Sequence, residues 1–131
     1  MKVLPRLALF ASVFGMGISS VGCGSGGFGC TASIEPAVTV TVFDARTGLP
    51  AAEGATATLT DGAFTETMQP STFDGNGTLT GLQGASERAG TYTVRVTKPG
   101  YTAFERSGVA VTRNECHVNT VRLRADLVPV P

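Results

Sequence analysis

The chain has 131 residues, enough for one small domain, and its ten Lys and Arg residues are balanced by ten Asp and Glu residues. This balance excludes the basic excess that binding to nucleic-acid phosphates requires, so we expect no nucleic-acid partner. The sequence has only one His and three Cys residues, so a four-ligand zinc site would need all of them together. We expect neither a metal nor a cofactor.

The N-terminus has the pattern of a secretory signal peptide over residues 1–22. Lys2 and Arg6 form a short basic head, and residues 7–18 follow without a charge. Twelve helical residues span about 18 Å, short of the ~30 Å hydrocarbon core of a bilayer, so a membrane-spanning helix is disfavoured. The small residues before Cys23 resemble a bacterial lipobox, although Ser20 stands where Leu is usual. The resemblance implies acylation of Cys23 and a membrane partner; the alternative is ordinary cleavage nearby.

Residues 23–36 are predicted to be the lipidated Cys and a flexible, Gly-rich tether. If Cys23 is acylated, Cys30 and Cys116 remain as an even pair, and an oxidising compartment allows them to form a disulfide bond. Two separate thiols are the alternative. Gly24 follows the acylated Cys in place of Asp, which resembles the sorting pattern of outer-membrane lipoproteins, so we expect a location facing the periplasm or the cell surface.

Residues 37–127 are predicted to form one all-β domain, and residues 128–131 a C-terminal tail. Apolar and polar residues alternate with period two, as in strands with one buried face, and turn signals such as Asp61-Gly62 separate the runs. We therefore predict a seven-stranded antiparallel β-sandwich. The predicted core consists of Val38, Val40, Val42, Leu59, Phe64, Leu79, Leu82, Tyr92, Val94, Val96, Val109, Val111, Val121 and Leu123.

Two motifs in this domain resemble a known family. The first is a valine strand that ends in Asp44 and continues through Thr47-Gly48, Pro50 and Gly54-Ala55; the second is the strand 90–96 followed by Lys98-Pro99-Gly100-Tyr101. Over residues 36–124 they resemble the carboxypeptidase regulatory-like domain, a transthyretin-like (prealbumin-like) β-sandwich. Residues 114–118 also look like a bacterial lipoprotein subgroup of it. The resemblance implies an accessory module without a reaction of its own.

The same residues also have structural roles that do not depend on the family. We expect the Asp44 carboxylate to accept backbone N–H bonds from the turn over Thr47 and Gly48. Gly48 supplies a positive φ, and Pro50 restricts the entry to the next strand. Tyr101 is expected to pack its ring while its hydroxyl stays near water.

No constellation of residues indicates catalysis, and we expect no enzyme. His117 is the only imidazole, and an acyl-transfer triad would need it beside a serine such as Ser86 or Ser107 and an acid such as Glu115. We therefore expect a non-enzymatic cell-envelope lipoprotein whose sandwich is a structural module or binds an envelope protein or glycan. The alternatives are a secreted carbohydrate- or peptide-binding module and, less favoured, a transthyretin-like hydrolase.

Overall fold

The computed structural model describes residues 29–131, so the predicted signal peptide and Cys23 lie outside the described residues. This part of the chain folds into eight β-strands and contains no helix, and hence none that is long and apolar enough to cross a membrane. The strands are β1 (Val38–Asp44), β2 (Thr56–Asp61), β3 (Phe64–Thr67), β4 (Gln69–Phe73), β5 (Leu79–Gly84), β6 (Gly90–Thr97), β7 (Phe104–Val111) and β8 (Val121–Leu127).

The strands form two four-stranded sheets, which confirms the predicted all-β class. Sheet A has the order β4-β5-β1-β8 and sheet B the order β3-β2-β6-β7. Every neighbouring pair is antiparallel except β1 and β8, which run parallel in register from Val38 opposite Val121 to Asp44 opposite Leu127. The prediction of a wholly antiparallel sandwich was wrong for this pair, because β7 ends at the same end of the domain at which β1 begins, and the β7–β8 loop starts β8 from that end.

The strand count is eight, whereas seven strands were predicted. Two of the eight strands are separated only by Met68: β3 pairs with β2 in sheet B, and β4 pairs with β5 in sheet A. The Met68 side chain is buried, and its backbone N–H donates to the Ala57 carbonyl at 2.8 Å. The chain thus changes sheets within one residue, a step that leaves no turn signal in the sequence.

The core lies between the two sheets and is built by the alternation of residues along the strands. Its largest fully buried side chains include Tyr92, Leu59 and Leu127, the last of which was not predicted. Most of the predicted core residues are buried, but Phe64, Val121 and Leu123 are only partly buried and pack against its margin. The reason is positional, since β3 and β8 are edge strands with no further strand to cover them.

The pairing of the strands defines two ends of the domain. The proximal end contains residues 29–37, the β5–β6 loop (85–89) and the β7–β8 loop (112–120), which all adjoin the start of β1. The distal end contains the β1–β2 loop (45–55), the β4–β5 turn (74–78), the β6–β7 loop (98–103) and the tail (128–131). Any site formed by loops therefore belongs to one end or the other.

Candidate functional site

The proximal end gathers a disulfide, an imidazole and a carboxylate into one cluster. We call this cluster the latch; its members are Cys30, Thr31, Glu35, Glu87, Arg113, Cys116 and His117. A disulfide joins Cys30 to Cys116, with their Cα atoms 5.3 Å apart, and this is the pairing that the sequence analysis expected. Cys30 is exposed and Cys116 is half-buried. The bond fastens the N-terminal segment to the β7–β8 loop.

The Glu87 carboxylate is the hub of the latch. Its Oε1 atom lies 2.7 Å from His117 Nδ1 and accepts the backbone N–H of Glu35 at 2.9 Å. The other ring nitrogen of His117, Nε2, lies 3.1 Å from Thr31 Oγ1, and an Arg113 guanidinium nitrogen lies 3.8 Å from Glu87 Oε2. The Glu35 N–H and then the His117 ring hold the pKa of Glu87 below its usual value. Glu87 therefore remains an acceptor over a wide pH range.

Local backbone geometry places the two central side chains of the latch. His117 lies in a loop, not in a strand, because Asn114 Oδ1 accepts the backbone N–H groups of Cys116 and His117 at 2.8 Å each. Ala85 and Glu87 have φ values of 53° and 55°, which is costly for residues with a side chain. The bonds of the Glu87 carboxylate hold this loop conformation in place.

The order carboxylate, imidazole, hydroxyl is also found in acyl-transfer enzymes. Here the acid is Glu87 and the hydroxyl belongs to Thr31, whereas Ser107, one of the predicted serines, bonds Thr93 on sheet B. The contacts of the latch join residues 30–35 to the β5–β6 and β7–β8 loops, and these two loops to each other. We therefore assign the cluster a holding role. Within residues 29–131, no three His, Cys, Asp or Glu residues are grouped closely enough to hold a metal ion.

Residues 30–36, which the sequence assigned to the flexible tether, are thus bound to the domain. Besides the disulfide, the Glu87 N–H donates to the Glu35 carbonyl at 2.9 Å, and the Thr120 hydroxyl donates to the Pro36 carbonyl at 2.7 Å. The folded unit therefore begins at the disulfide, well before β1.

The distal end carries most of the exposed apolar side chains. Five large apolar residues are strongly exposed in the described part of the chain. Four of them lie in the distal loops and tail or directly beside them, where Phe73 ends β4: Leu49 (64%), Phe73 (58%), Val128 (54%) and Val130 (48%). The fifth, Ile34, belongs to the proximal end. Single exposed apolar residues are ordinary, but their concentration at one end is what a contact surface for another molecule requires.

The loops of the distal end are held by a second set of bonds, centred on Asp44. Its Oδ1 atom accepts the backbone N–H groups of Arg46 and Thr47 at 2.7 and 3.0 Å. The Tyr101 hydroxyl donates to Oδ2 at 2.8 Å, so the two sequence motifs meet at this carboxylate. The Thr47 N–H, followed by the Tyr101 hydroxyl, lowers the pKa of Asp44.

The tail is bound to the same end. The Thr102 N–H donates to the Val128 carbonyl at 2.8 Å, and the Val130 N–H donates to the Gly100 carbonyl at 2.9 Å. The exposed side chains of Val128 and Val130 therefore sit on fixed backbone, which limits the entropy lost when a partner binds.

A shallow groove of about 550 Å³ lies on the outer face of sheet A. Its polar lining consists of the side chains of Thr39, Thr41, Thr72, Arg122 and Arg124. The two Arg residues lie on the exposed face of β8. The groove is open, and Asp126 on the same face lies 2.8 Å from the Arg124 guanidinium.

Comparison with known proteins adds no relative: no family model matches the chain, and no curated protein matches it. The class of the protein is therefore defined by its own geometry, which is an all-β domain of two four-stranded sheets with a latched N-terminal segment. The carboxypeptidase regulatory-like resemblance stays a prediction.

Proposed function

We propose that the protein is a non-enzymatic cell-envelope lipoprotein, anchored by a lipid on Cys23, whose β-sandwich binds a partner through its distal end. One observation carries the proposal: the latch fastens the N-terminal segment at one end of the domain, and four of the five strongly exposed large apolar side chains of residues 29–131 lie at the other. A tethered binding module needs this separation of attachment from contact surface.

The anchor is supported by the sequence, through the basic head, the apolar stretch and the lipobox-like residues before Cys23. Cys30 is seven positions after Cys23 in the sequence, and a fully extended chain of seven residue steps reaches roughly 25 Å. The proximal end is therefore kept within about 25 Å of the membrane, while the distal end is the part farthest from the anchor. Gly24 after the Cys favours the outer membrane.

The chemistry of the distal end favours a protein partner over a glycan. Phe73 is the only aromatic residue among its strongly exposed apolar side chains, and the others are Leu49, Val128 and Val130. Sugars stack on platforms of aromatic rings, whereas aliphatic side chains on fixed loops suit the apolar centre of a protein interface. The resemblance to an accessory module also supports a binding role.

The contact surface is tested by capture of partners from envelope extracts with the full chain as bait. We expect the double variant Leu49→Asp/Val128→Asp to lose at least tenfold of each specifically captured protein. Leu49→Asp alone is expected to reduce the capture as well, and its matched control is Ile34→Asp, which places the same single charge on a proximal residue that is also strongly exposed and keeps the capture. Equal losses in Leu49→Asp and Ile34→Asp contradict the assignment of the distal end.

The anchor is tested separately by labelling cells with a fatty-acid analogue. We expect the wild-type chain to incorporate label and to partition into membranes, and Cys23→Ser to abolish both. If the wild-type chain is unlabelled and emerges in soluble form, the secreted binding module replaces the lipoprotein. If Cys23→Ser remains labelled, Cys23 is not the site of acylation.

A further inference from the structure

The four edge strands of the two sheets differ in how well they are protected from pairing with another strand. In sheet B, β3 has only four residues, and β7 carries Gly108 with a φ of 69° at a shift in its register with β6. In sheet A, β4 contains Pro70, and its register with β5 shifts twice. Short length, bulges and proline all prevent edge-to-edge association. The fourth edge, β8, has none of these devices.

β8 is long and regular. Its seven residues pair with β1 without a shift, and it contains neither Pro nor Gly. The Val121 N–H donates to the Ala37 carbonyl, and the Leu127 carbonyl accepts the Ala45 N–H, so the odd-numbered residues direct their backbone groups towards β1. The backbone groups of the even-numbered residues therefore point outwards, and they find no backbone partner within residues 29–131.

The side chains along this edge are also incompletely covered. Val121 and Leu123 face the core layer but remain partly exposed, because no strand lies beyond β8. On the opposite face, Arg122, Arg124 and Asp126 alternate along the strand and are exposed. A further strand would satisfy the outward backbone groups and cover the apolar margin at the same time.

We propose that the occupant of this edge is β8 of a second copy of the chain, paired antiparallel about a two-fold axis at Arg124. The Thr102 N–H already bonds the Val128 carbonyl, so the protein's own chain occupies the edge beyond Leu127. The free outward groups are thus those of residues 122–126, and the midpoint of this segment is Arg124. In this register Arg122 of each copy faces Asp126 of the other.

Charge complementarity supports the register. Arg122 has no ion-pair partner within 4 Å in the described part of the chain, and the pairing supplies one to each copy. The two Arg124 residues face each other, but each guanidinium already lies 3.9 Å from the centroid of its own Phe43 ring and 2.8 Å from its own Asp126. Both Arg124 side chains are therefore held over their own sheets, which reduces the electrostatic repulsion between the two guanidinium groups.

The pairing is compatible with the proposed anchor, although it does not depend on it. Antiparallel pairing directs the proximal ends of the two copies in opposite directions along the strands. Both ends remain within the roughly 25 Å reach of their tethers when the strands lie along the membrane plane. The two distal ends then point outwards from opposite ends of the dimer and stay accessible.

Cysteine cross-linking of the full chain in the membranes of expressing cells tests the register. Directly opposite residues in a hydrogen-bonded antiparallel pair have Cα atoms about 5.5 Å apart, which permits a disulfide between two copies of Arg124→Cys. The matched control is Arg122→Cys, whose two copies would be about 13 Å apart, four residues along the strand. We expect Arg124→Cys to give at least tenfold more disulfide-linked dimer than the control or the wild type. Equal yields, or a link to a different protein, overturn the proposal.

Charge reversal tests the same contact without a covalent bond. Arg122→Asp and Asp126→Arg each place like charges opposite one another. We expect each to weaken dimerisation of the detergent-solubilised full chain at least tenfold, measured by sedimentation over protein concentrations high enough for the wild type to dimerise. A mixture of the two variants restores both ion pairs and is expected to form a heterodimer. Arg95→Asp, a reversal on the outer face of sheet B, leaves dimerisation unchanged. A mixture no more dimeric than its components contradicts the proposal, provided that circular dichroism shows all variants to be folded.

Discussion

Removal of the disulfide of the latch gives the most quantitative test of the structure. Cys30 and Cys116 are 86 residues apart, and closing a loop of that size lowers the entropy of the unfolded chain enough to stabilise the fold by about 4.6 kcal/mol. The double variant Cys30→Ser/Cys116→Ser loses this contribution. It also releases part of the N-terminal segment in the folded protein, which offsets some of the loss.

The size of the offset follows from the bonds that remain. Glu35 is still bonded to Glu87, and Ala37 to Gly84, so only the exposed residues up to Ile34 gain freedom. Complete ordering of one residue's backbone costs about 1–2 kcal/mol of conformational entropy. Because these residues are exposed, their release regains only part of that free energy. We therefore expect a net loss of about 2–3 kcal/mol, which lowers the melting temperature by roughly 10–20 °C.

The assay is unfolding of the full chain by heat and by urea, followed by circular dichroism. Cys23→Ser is the matched control, since it makes the same substitution at a cysteine outside the latch, and we expect it to leave stability unchanged. Addition of a reductant to the wild type should reproduce the result of the double variant. A loss below about 1 kcal/mol would refute the reasoning, because it would mean that the disulfide does not constrain the folded unit.

Two further predictions address the distal end and the core. The lowered pKa of Asp44 means that its ionised form stabilises the fold at neutral pH, and that this contribution is lost as the pH falls below about 4 and the carboxylate is protonated. Asp44→Asn should therefore show a shallower loss of stability between pH 5 and pH 2 than the wild type in urea titrations; an identical slope would contradict the assignment. Leu127→Ala, at a fully buried residue, should cost about 2–5 kcal/mol, whereas Val128→Ala, at a 54% exposed neighbour, should cost less than about 0.5 kcal/mol. Equal costs in thermal unfolding would contradict the orientation of β8.

The β-strands were predictable from the sequence because period-two alternation is a local signal of burial on one face. The run Val38, Val40, Val42 is buried throughout, as its spacing required. Strand pairing is not local: nothing within residues 121–127 shows that they lie parallel to β1. For the same reason the partial exposure of Val121 and Leu123 was missed, since their spacing is that of a buried strand and only the sheet order places them at an edge.

Only some of the contacts in the latch could be predicted from the sequence. A disulfide between Cys30 and Cys116 brings their chain neighbours Thr31 and His117 into the same region, and this much could be predicted from the sequence. Glu87 gives no such signal, because it is 30 residues from His117 and is aimed at the ring by a loop in which its own φ is positive. Pairs of polar residues brought together by loops of unusual backbone geometry leave no pattern in the sequence.

The unprotected edge of β8 is best understood together with the proposed anchor. A pairing that uses only residues 122–126 buries less surface than a standard interface, so in free solution it would be weak. Attachment to a membrane confines copies to a thin layer and raises their effective concentration, and weak contacts become significant under that condition. A free, regular strand edge is an aggregation hazard for a protein that diffuses in three dimensions. In an anchored protein, the charge pattern of Arg122, Arg124 and Asp126 restricts pairing at this edge to one partner and one register. The short tethers keep the paired copies in the plane of the membrane.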